Sequence, residues 1–236
     1  MSTPVPEPVI AVVVAAGYGV RFGGPTPKPA LRLAGRSVLA LALDNLAAGG
    51  VNHIIIVSRD QSLFQSARRA SPTPSTLAPG GESRQESVRS GLAMVADSPT
   101  LARARVILVH DAARPLQPPD VTRGVIAAVR AGAVAVAPAL PVVDTIRLDT
   151  GAGQTRVVDR DLLHAVQTPQ GFDPAVIIEC HRRAALEPDL TFTDDVTCCE
   201  HYGHPVTLVP GSRLGLKITE QADLTVARAL WREARR

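Results

Sequence analysis

The sequence predicts an α/β fold, a mostly parallel sheet flanked by helices, from which a small β-hairpin arm projects. Three observations predict it. Short runs rich in Val and Ile alternate with longer amphipathic stretches over residues 9–139. The runs are apolar throughout rather than at every second residue, as strands covered on both faces require. Beyond Pro141 two short strand-like pieces flank a turn-rich tip. Stretches of helical length between successive runs suit parallel neighbours, which a tight turn cannot join. The expected result is a Rossmann-like sheet.

The elements follow in order. Val9–Ala15 (VIAVVVA) reads as a buried first strand, ended by glycine. Ser37–Ala48 has helical spacing and stops at Gly49 and Gly50. His53–Ser58 is a second buried strand, and Ser75–Ala78 a weaker third. Ser83 with Glu86 three residues on is a capping box that opens a helix to Ala96. Arg105–His110 reads as a strand, Pro118–Ala131 as a helix and Ala133–Ala139 as a strand. Asp144–Leu148 and Thr155–Val158 flank the Asp149–Gly153 tip, which places the arm at about residues 142–162. The sheet pattern resumes near His164–Thr168. Helices are expected over Pro174–Ala185, from Thr193, and over Glu220–Arg235, with a strand at Pro205–Val209. The loop-like stretch Ser71–Pro79 is too short for a domain linker, so residues 1–236 are expected to form one domain.

Composition excludes several classes of function. With 25 Lys and Arg against 22 Asp and Glu the net charge is only +3, too weak to argue for nucleic acid. Four Phe, two Tyr and one Trp cannot lay out stacking platforms for single strands. Cys180, Cys198 and Cys199 form no metal-ligand spacing, and their odd number suits a reducing compartment. His110, His164, His181, His201 and His204 give no metal spacing either. The N-terminal stretch lacks the basic start of a secretory signal, and the longest apolar run, Val9–Gly17, is half a membrane span. A cytoplasmic protein without membrane or nucleic-acid partners is expected.

The most informative segment follows the first strand: Ala15-Ala16-Gly17-Tyr18-Gly19-Val20-Arg21-Phe22-Gly23-Gly24-Pro25-Thr26-Pro27-Lys28. Glycines after a parallel strand let the backbone approach a ligand and turn N–H groups toward phosphate. The dinucleotide fingerprint fails, because Phe22 stands at its third glycine. The P-loop fails because no Gly-Lys-Ser/Thr follows. A glycine loop with Arg21 and Lys28 remains, and two cations on one loop suit a polyphosphate whose charge grows in a transition state.

This loop resembles the signature of nucleotidyltransferases with the sugar-nucleotide-transferase fold. Gly80–Val88 (GGESRQESV), His110–Pro115 (HDAARP), Gln167–Phe172 (QTPQGF), Thr193-Asp194-Asp195 and Leu216–Thr219 (LKIT) narrow the resemblance. Together, and in order from about Ile10 to Leu230, they resemble the 2-C-methyl-D-erythritol 4-phosphate cytidylyltransferase family. The resemblance implies cytidylyl transfer from CTP to 2-C-methyl-D-erythritol 4-phosphate, with Mg²⁺ as cofactor and pyrophosphate as the second product. It also implies roles. Arg21 and Lys28 would stabilise the transition state, while Arg160 and Lys217 would hold the acceptor phosphate for in-line attack. The backbone of Ala15, Ala16, Gly17 and Gly19 would line the nucleotide; Gly81, Glu82 and Ser87 would face cytosine and ribose. Asp111 would lie beside the metal and the acceptor. Arg114 would meet the substrate phosphate or serve a structural salt bridge, and Thr168 and Thr193 would offer hydroxyls to substrate. Thr145, near the start of the arm, would reach into a neighbouring subunit's site, making a homodimer through the arms.

Several positions depart from the family pattern. Glu82 stands where Asp is frequent, and Val196-Thr197-Cys198-Cys199 replaces a smaller residue and a Ser. Two other readings are open. A ribitol 5-phosphate cytidylyltransferase has a close signature, though Ala113 favours the first assignment. A non-catalytic nucleotide-binding regulator would be expected to lose a catalytic cation, and both Arg21 and Lys28 are present.

Overall fold

The structure, a computed structural model, describes residues 7–17, 27–71 and 73–233. Its chain order begins with β1 (Val9–Val14), a short hairpin of β2 (Arg32–Leu33) and β3 (Arg36–Ser37), α1 (Val38–Ala48), β4 (His53–Ser58) and α2 (Gln61–Ala70). There follow β5 (Ser75–Pro79), α3 (Arg84–Ala96), β6 (Val106–Asp111), α4 (Pro119–Arg130) and β7 (Ala135–Pro141). The arm is β8 (Ile146–Gly151) and β9 (Gln154–Val158). The chain continues with β10 (His164–Val166), β11 (Gln170–Phe172), α5 (Pro174–Ala184), α6 (Asp195–His201), β12 (Val206–Pro210) and α7 (Gln221–Glu233).

The main sheet runs β10-β7-β11-β6-β1-β4-β5, with β12 also paired to β7. β1 pairs in parallel with both β4 and β6. β5 pairs in parallel with β4, and β12 with β7. Only β10 and β11 run the other way. The mostly parallel sheet is therefore as expected from the apolar runs.

Alternation along β1 explains why those runs are apolar at every position. Val9, Ala11 and Val13 enter one core with Leu39, Leu43, Ile54, Ile56 and Val125. Ile10 and Val12 enter the other with Ile55, Val57, Leu92 and Ile177. Burying each of the Val, Leu and Ile side chains contributes about 1.5–3 kcal/mol, and a one-residue slip would exchange the two faces. A third cluster joins Leu33, Val38 and Leu41 to Ile218, Leu224 and Ala227, docking α7 beneath α1.

Helix starts follow the side-chain caps. Ser37 Oγ accepts the Ala40 N–H at 3.1 Å, and the capping box of Ser83 and Glu86 is fully formed. The helix expected from Thr193 starts instead at Asp195, because Asp194 Oδ1 accepts the Thr197 N–H. Among the described residues, the β2–β3 hairpin, helix α2 and strand β11 lie outside the sequence-based expectation. The arm forms a separate two-stranded sheet. Val143, Leu148, Val157 and Leu162 along this segment are exposed. Among the described residues, no helix is long and apolar enough to cross a membrane.

Candidate active site

β1, β5 and β6 deliver their carboxyl ends to one place. β1 turns into Ala15–Gly17, β5 into Gly80–Ser83, and β6 ends on Asp111. The direction in which strands are added reverses between β1 and β6, since β4 and β5 lie beyond β1 on the other side. Open α/β sheets leave a crevice at such a reversal. Here it is a cleft of about 290 Å³, and Ala15, Ala16, Gly17, Lys28, Gly81, Glu82, Ser87, Asp111 and Lys217 all line it. Nine residues expected from the sequence are thus brought together. Gly17 and Lys28, the two flanks of the glycine loop, both face the cleft; Gly19 and Arg21 lie outside the described residues.

The loop after β5 is held by its own side chains. Glu86 Oε2 accepts the N–H groups of Glu82 and Ser83, at 2.7 and 3.3 Å. Ser87 Oγ accepts the Gly81 N–H at 3.1 Å and donates to the Ser83 carbonyl at 2.9 Å. A Cβ on Gly81 would lie 2.4 Å from Glu86 Cβ, so only glycine lets this turn close on the first turn of α3. The exposed Glu82 carboxylate pairs with Arg59 at 3.2 Å, and Arg59 also donates to the Gly81 carbonyl.

Asp111 is the electrostatic centre. It is buried, and its Oδ2 accepts from Lys217 Nζ at 2.6 Å while Oδ1 accepts from Arg84 Nε at 3.2 Å. Burial by itself would raise its pKa, but the Arg84 guanidinium and the Lys217 ammonium hold the carboxyl well below the usual carboxylate range. Arg84 also donates through Nη2 to Asp195 at 2.8 Å. Burial would lower the pKa of Arg84, yet Asp195 and Asp111 raise it, so the guanidinium stays charged.

A polar layer behind the cleft fixes Asp111 and Lys217. Thr168 Oγ1 accepts the Asp111 N–H at 3.1 Å and lies 3.1 Å from His110 Nδ1. The tautomer of the His110 ring sets which of the hydroxyl and Nδ1 donates in this contact. Burial pushes the His110 pKa down to about 4, consistent with a neutral ring. Arg114 donates to the carbonyls of Gly215, at 2.6 Å, and Val166, at 3.4 Å. Gln167 grips the same loop, donating to the Ser212 carbonyl and accepting its N–H. Ile218 N–H donates to the Ala113 carbonyl. Lys217 is therefore carried on a loop tied down on both sides. Thr168 and Arg114 support the cleft from behind rather than lining it.

Thr145, Arg160 and Thr193 are not brought to this cleft. All three are exposed, and Arg160 Nη1 donates to the Val143 carbonyl at the base of the arm. Arg84 lines the cleft and contacts Asp111, and the sequence reading left it without a role. Its signal was its place inside the GGESRQESV motif.

Carboxylates in the cleft number two, Asp111 and Glu82, and no group of three or more His, Cys, Asp or Glu among the described residues could hold a metal. That donor set fits a Mg²⁺ ion that brings phosphate and water as most of its ligands, not a caged structural ion. With Lys28, Arg84 and Lys217 beside glycine backbone, the arrangement can hold a polyphosphate and neutralise charge on it.

An open α/β sheet with a cation-lined, glycine-walled cleft at its strand reversal defines a nucleotidyltransferase architecture. Comparison with known proteins gives the particular kind. The family profile described as "IspD: 2-C-methyl-D-erythritol 4-phosphate cytidylyltransferase" matches residues 9–233. A relative of that name from Rhodococcus opacus is 41% identical over 227 residues, 96% of each chain. One from Nocardia farcinica is 42% identical over 225 residues, covering 94% of this chain and 93% of the relative. Among solved structures, the 2-C-methyl-D-erythritol 4-phosphate cytidylyltransferase of Thermus thermophilus superposes with a TM-score of 0.74 at 33% identity, covering 94% of this chain and 98% of that one. The 4-diphosphocytidyl-2C-methyl-D-erythritol synthase of Anaerococcus prevotii superposes with a TM-score of 0.81 at 26% identity, covering 96% and 99%. The chain belongs to the 2-C-methyl-D-erythritol 4-phosphate cytidylyltransferase family.

Proposed function

We propose that this chain transfers the cytidylyl group of CTP to 2-C-methyl-D-erythritol 4-phosphate. An oxygen of the acceptor phosphate attacks the α-phosphorus in line, a new P–O bond forms, and the bond to the β-phosphate oxygen breaks. The products are 4-diphosphocytidyl-2-C-methyl-D-erythritol and pyrophosphate. Two anions must meet and charge gathers at the α-phosphorus, so positioning and fixed positive charge are what the protein has to supply.

The observation that carries this reading is the convergence of Lys28, Lys217 and Asp111 with the glycine backbone in one cleft, in a chain of this family. Lys28, with Arg21, stabilises the transition state. Lys217 holds the acceptor phosphate from its braced loop. The backbone of Ala15, Ala16, Gly17 and Gly19 lines the triphosphate, and Gly81, Glu82 and Ser87 face cytosine and ribose. Asp111 would hold Mg²⁺ with the substrate phosphates, and the ion would neutralise triphosphate charge when bound. We read Arg114 and Thr168 as supports of Lys217 and Asp111, and Thr193, exposed just ahead of α6, as a hydroxyl offered to the acceptor.

Residues 1–236 act as one domain in this reading, and its arm makes a cytoplasmic homodimer. A two-stranded ribbon with exposed Leu148 and Val157 is marginal by itself in water, which supports a partner surface for it. Thr145 and Arg160, both away from their own cleft, would then complete the neighbouring subunit's site.

Incubation with CTP, Mg²⁺ and either 2-C-methyl-D-erythritol 4-phosphate or ribitol 5-phosphate tests the assignment. Phosphorus NMR should show a diphosphate diester with the first acceptor. A product formed only from ribitol 5-phosphate would contradict it.

A further inference from the structure

We infer that Arg84 is a positioning residue for the acceptor end of the cleft, and that a buried Asp195–His181 pair sets it in place from behind. The kinetic part of this inference rests on the reaction proposed above.

The geometry is a continuous line of charge running inward from the cleft. Lys217 Nζ donates to Asp111, and Arg84 Nε donates to the other oxygen of the same carboxylate. The same guanidinium donates through Nη2 to Asp195 Oδ2 at 2.8 Å. Asp195 is 1% exposed, and its Oδ1 accepts from His181 Nε2 at 3.1 Å. Its backbone is fixed too, because the Asp195 N–H donates to Gln170 Oε1 while Gln170 Nε2 donates to Asp194 Oδ2. Helices α3, α5 and α6 and strands β6 and β11 all contribute to this line.

Stability alone does not account for it. Desolvating a carboxylate this deeply costs several kcal/mol, and a packed apolar pair of similar volume would serve the core as well or better. What the arrangement supplies is direction. A guanidinium presents separate nitrogens at fixed angles, so gripping Asp195 with one dictates where the other meets Asp111. Asp111, held through both oxygens, then has one place to present to Lys217 and to the acceptor. Arg84 lines the cleft, whereas Asp195 and His181 do not. The acidic motif Thr193-Asp194-Asp195 thus has an inward role: its last carboxylate anchors a cleft arginine.

Two variants of the full-length enzyme test this, Asp195→Asn and Arg84→Lys. Asp195→Asn keeps shape and one acceptor but removes the charge; Arg84→Lys keeps the charge but cannot bridge two carboxylates. Each should lower kcat/KM for the acceptor about tenfold, the effect of one weakened charge-assisted hydrogen bond, with KM for CTP changed less than about twofold. The double variant should be no worse than the poorer single, since both act through one contact. A crystal structure of Asp195→Asn should show Arg84 Nε withdrawn from Asp111. Wild-type kinetics with only a lowered Tm, defects that multiply in the double variant, or an unmoved Arg84 would each overturn the inference. A wild-type enzyme inactive toward the acceptor would sink the proposed reaction instead, and the crystal structure would still decide the position of Arg84.

Discussion

Lys217 donates to Asp111 at 2.6 Å across a sequence separation of 106 residues. This contact closes the loop before α7 onto the end of β6. Asp111→Asn keeps the side chain's shape but weakens two charge-assisted bonds. Turnover should fall about 10–100-fold, matching a loss of roughly 1.5–3 kcal/mol. Steady-state kinetics with both substrates saturating would measure it, and an unchanged rate would remove Asp111 from the site.

In the proposed reaction Lys28 acts on developing charge alone. Lys28→Ala should lower turnover about 10²–10³-fold while the Kd for CTP changes by less than about tenfold. Calorimetric titration with CTP separates the two; collapse of binding would make Lys28 a ground-state ligand. Mixed dimers of Lys28→Ala and Thr145→Ala chains should regain part of the wild-type activity, because one of their two sites would be intact. No recovery after subunit exchange would argue against sites shared through the arm.

Gly91 of α3 packs directly against β1 and β4. A Cβ there would meet Val12 Cγ1 at 2.4 Å and Val57 Cγ2 at 3.1 Å. Gly91→Ala should therefore destabilise by about 1–3 kcal/mol through overpacking, although alanine is the better helix former. For a chain of this size that is a Tm roughly 3–10 °C lower. A raised Tm would mean that the helix shifts freely.

His110 gives the fold a pH dependence of definite sign. Its folded pKa of about 4 is below the unfolded value of about 6.5, so the unfolded chain binds the extra proton first. Its contribution is complete above about pH 6.5 and is lost as pH falls toward 4, by up to about 3 kcal/mol. The depressed carboxyls of Asp111 and Asp195 act lower, losing their contribution below about pH 4. In His110→Asn the decline of Tm between pH 6.5 and 4 should flatten. An undiminished slope would place that titration elsewhere.

Most of the fold was legible because its signals are local. The apolar runs of β1 and β4, the helical spacing of Ser37–Ala48 and the Ser83–Glu86 box each declare themselves within a few residues. Helix α2 escaped notice because it buries only Leu63, Phe64 and Ala67 among polar neighbours. Strand β11 is three residues long, and glycine and glutamine occupy two of them. The site divides the same way. Motifs marked Lys28, Gly81, Asp111 and Lys217, which the cleft gathers. The Arg84–Asp195 contact joins residues 111 apart on different helices, and no spacing in the sequence announces it. Thr168 reads as a substrate hydroxyl by its motif, while in the structure it is buried against His110 and the Asp111 backbone.

The most direct test of the central claim is pyrophosphate release from each of CTP, UTP, ATP and GTP in the presence of 2-C-methyl-D-erythritol 4-phosphate and Mg²⁺. The cleft as read here predicts rapid release from CTP alone, and none when the acceptor is withheld. Equal release from a purine nucleotide, or release independent of the acceptor, would contradict it.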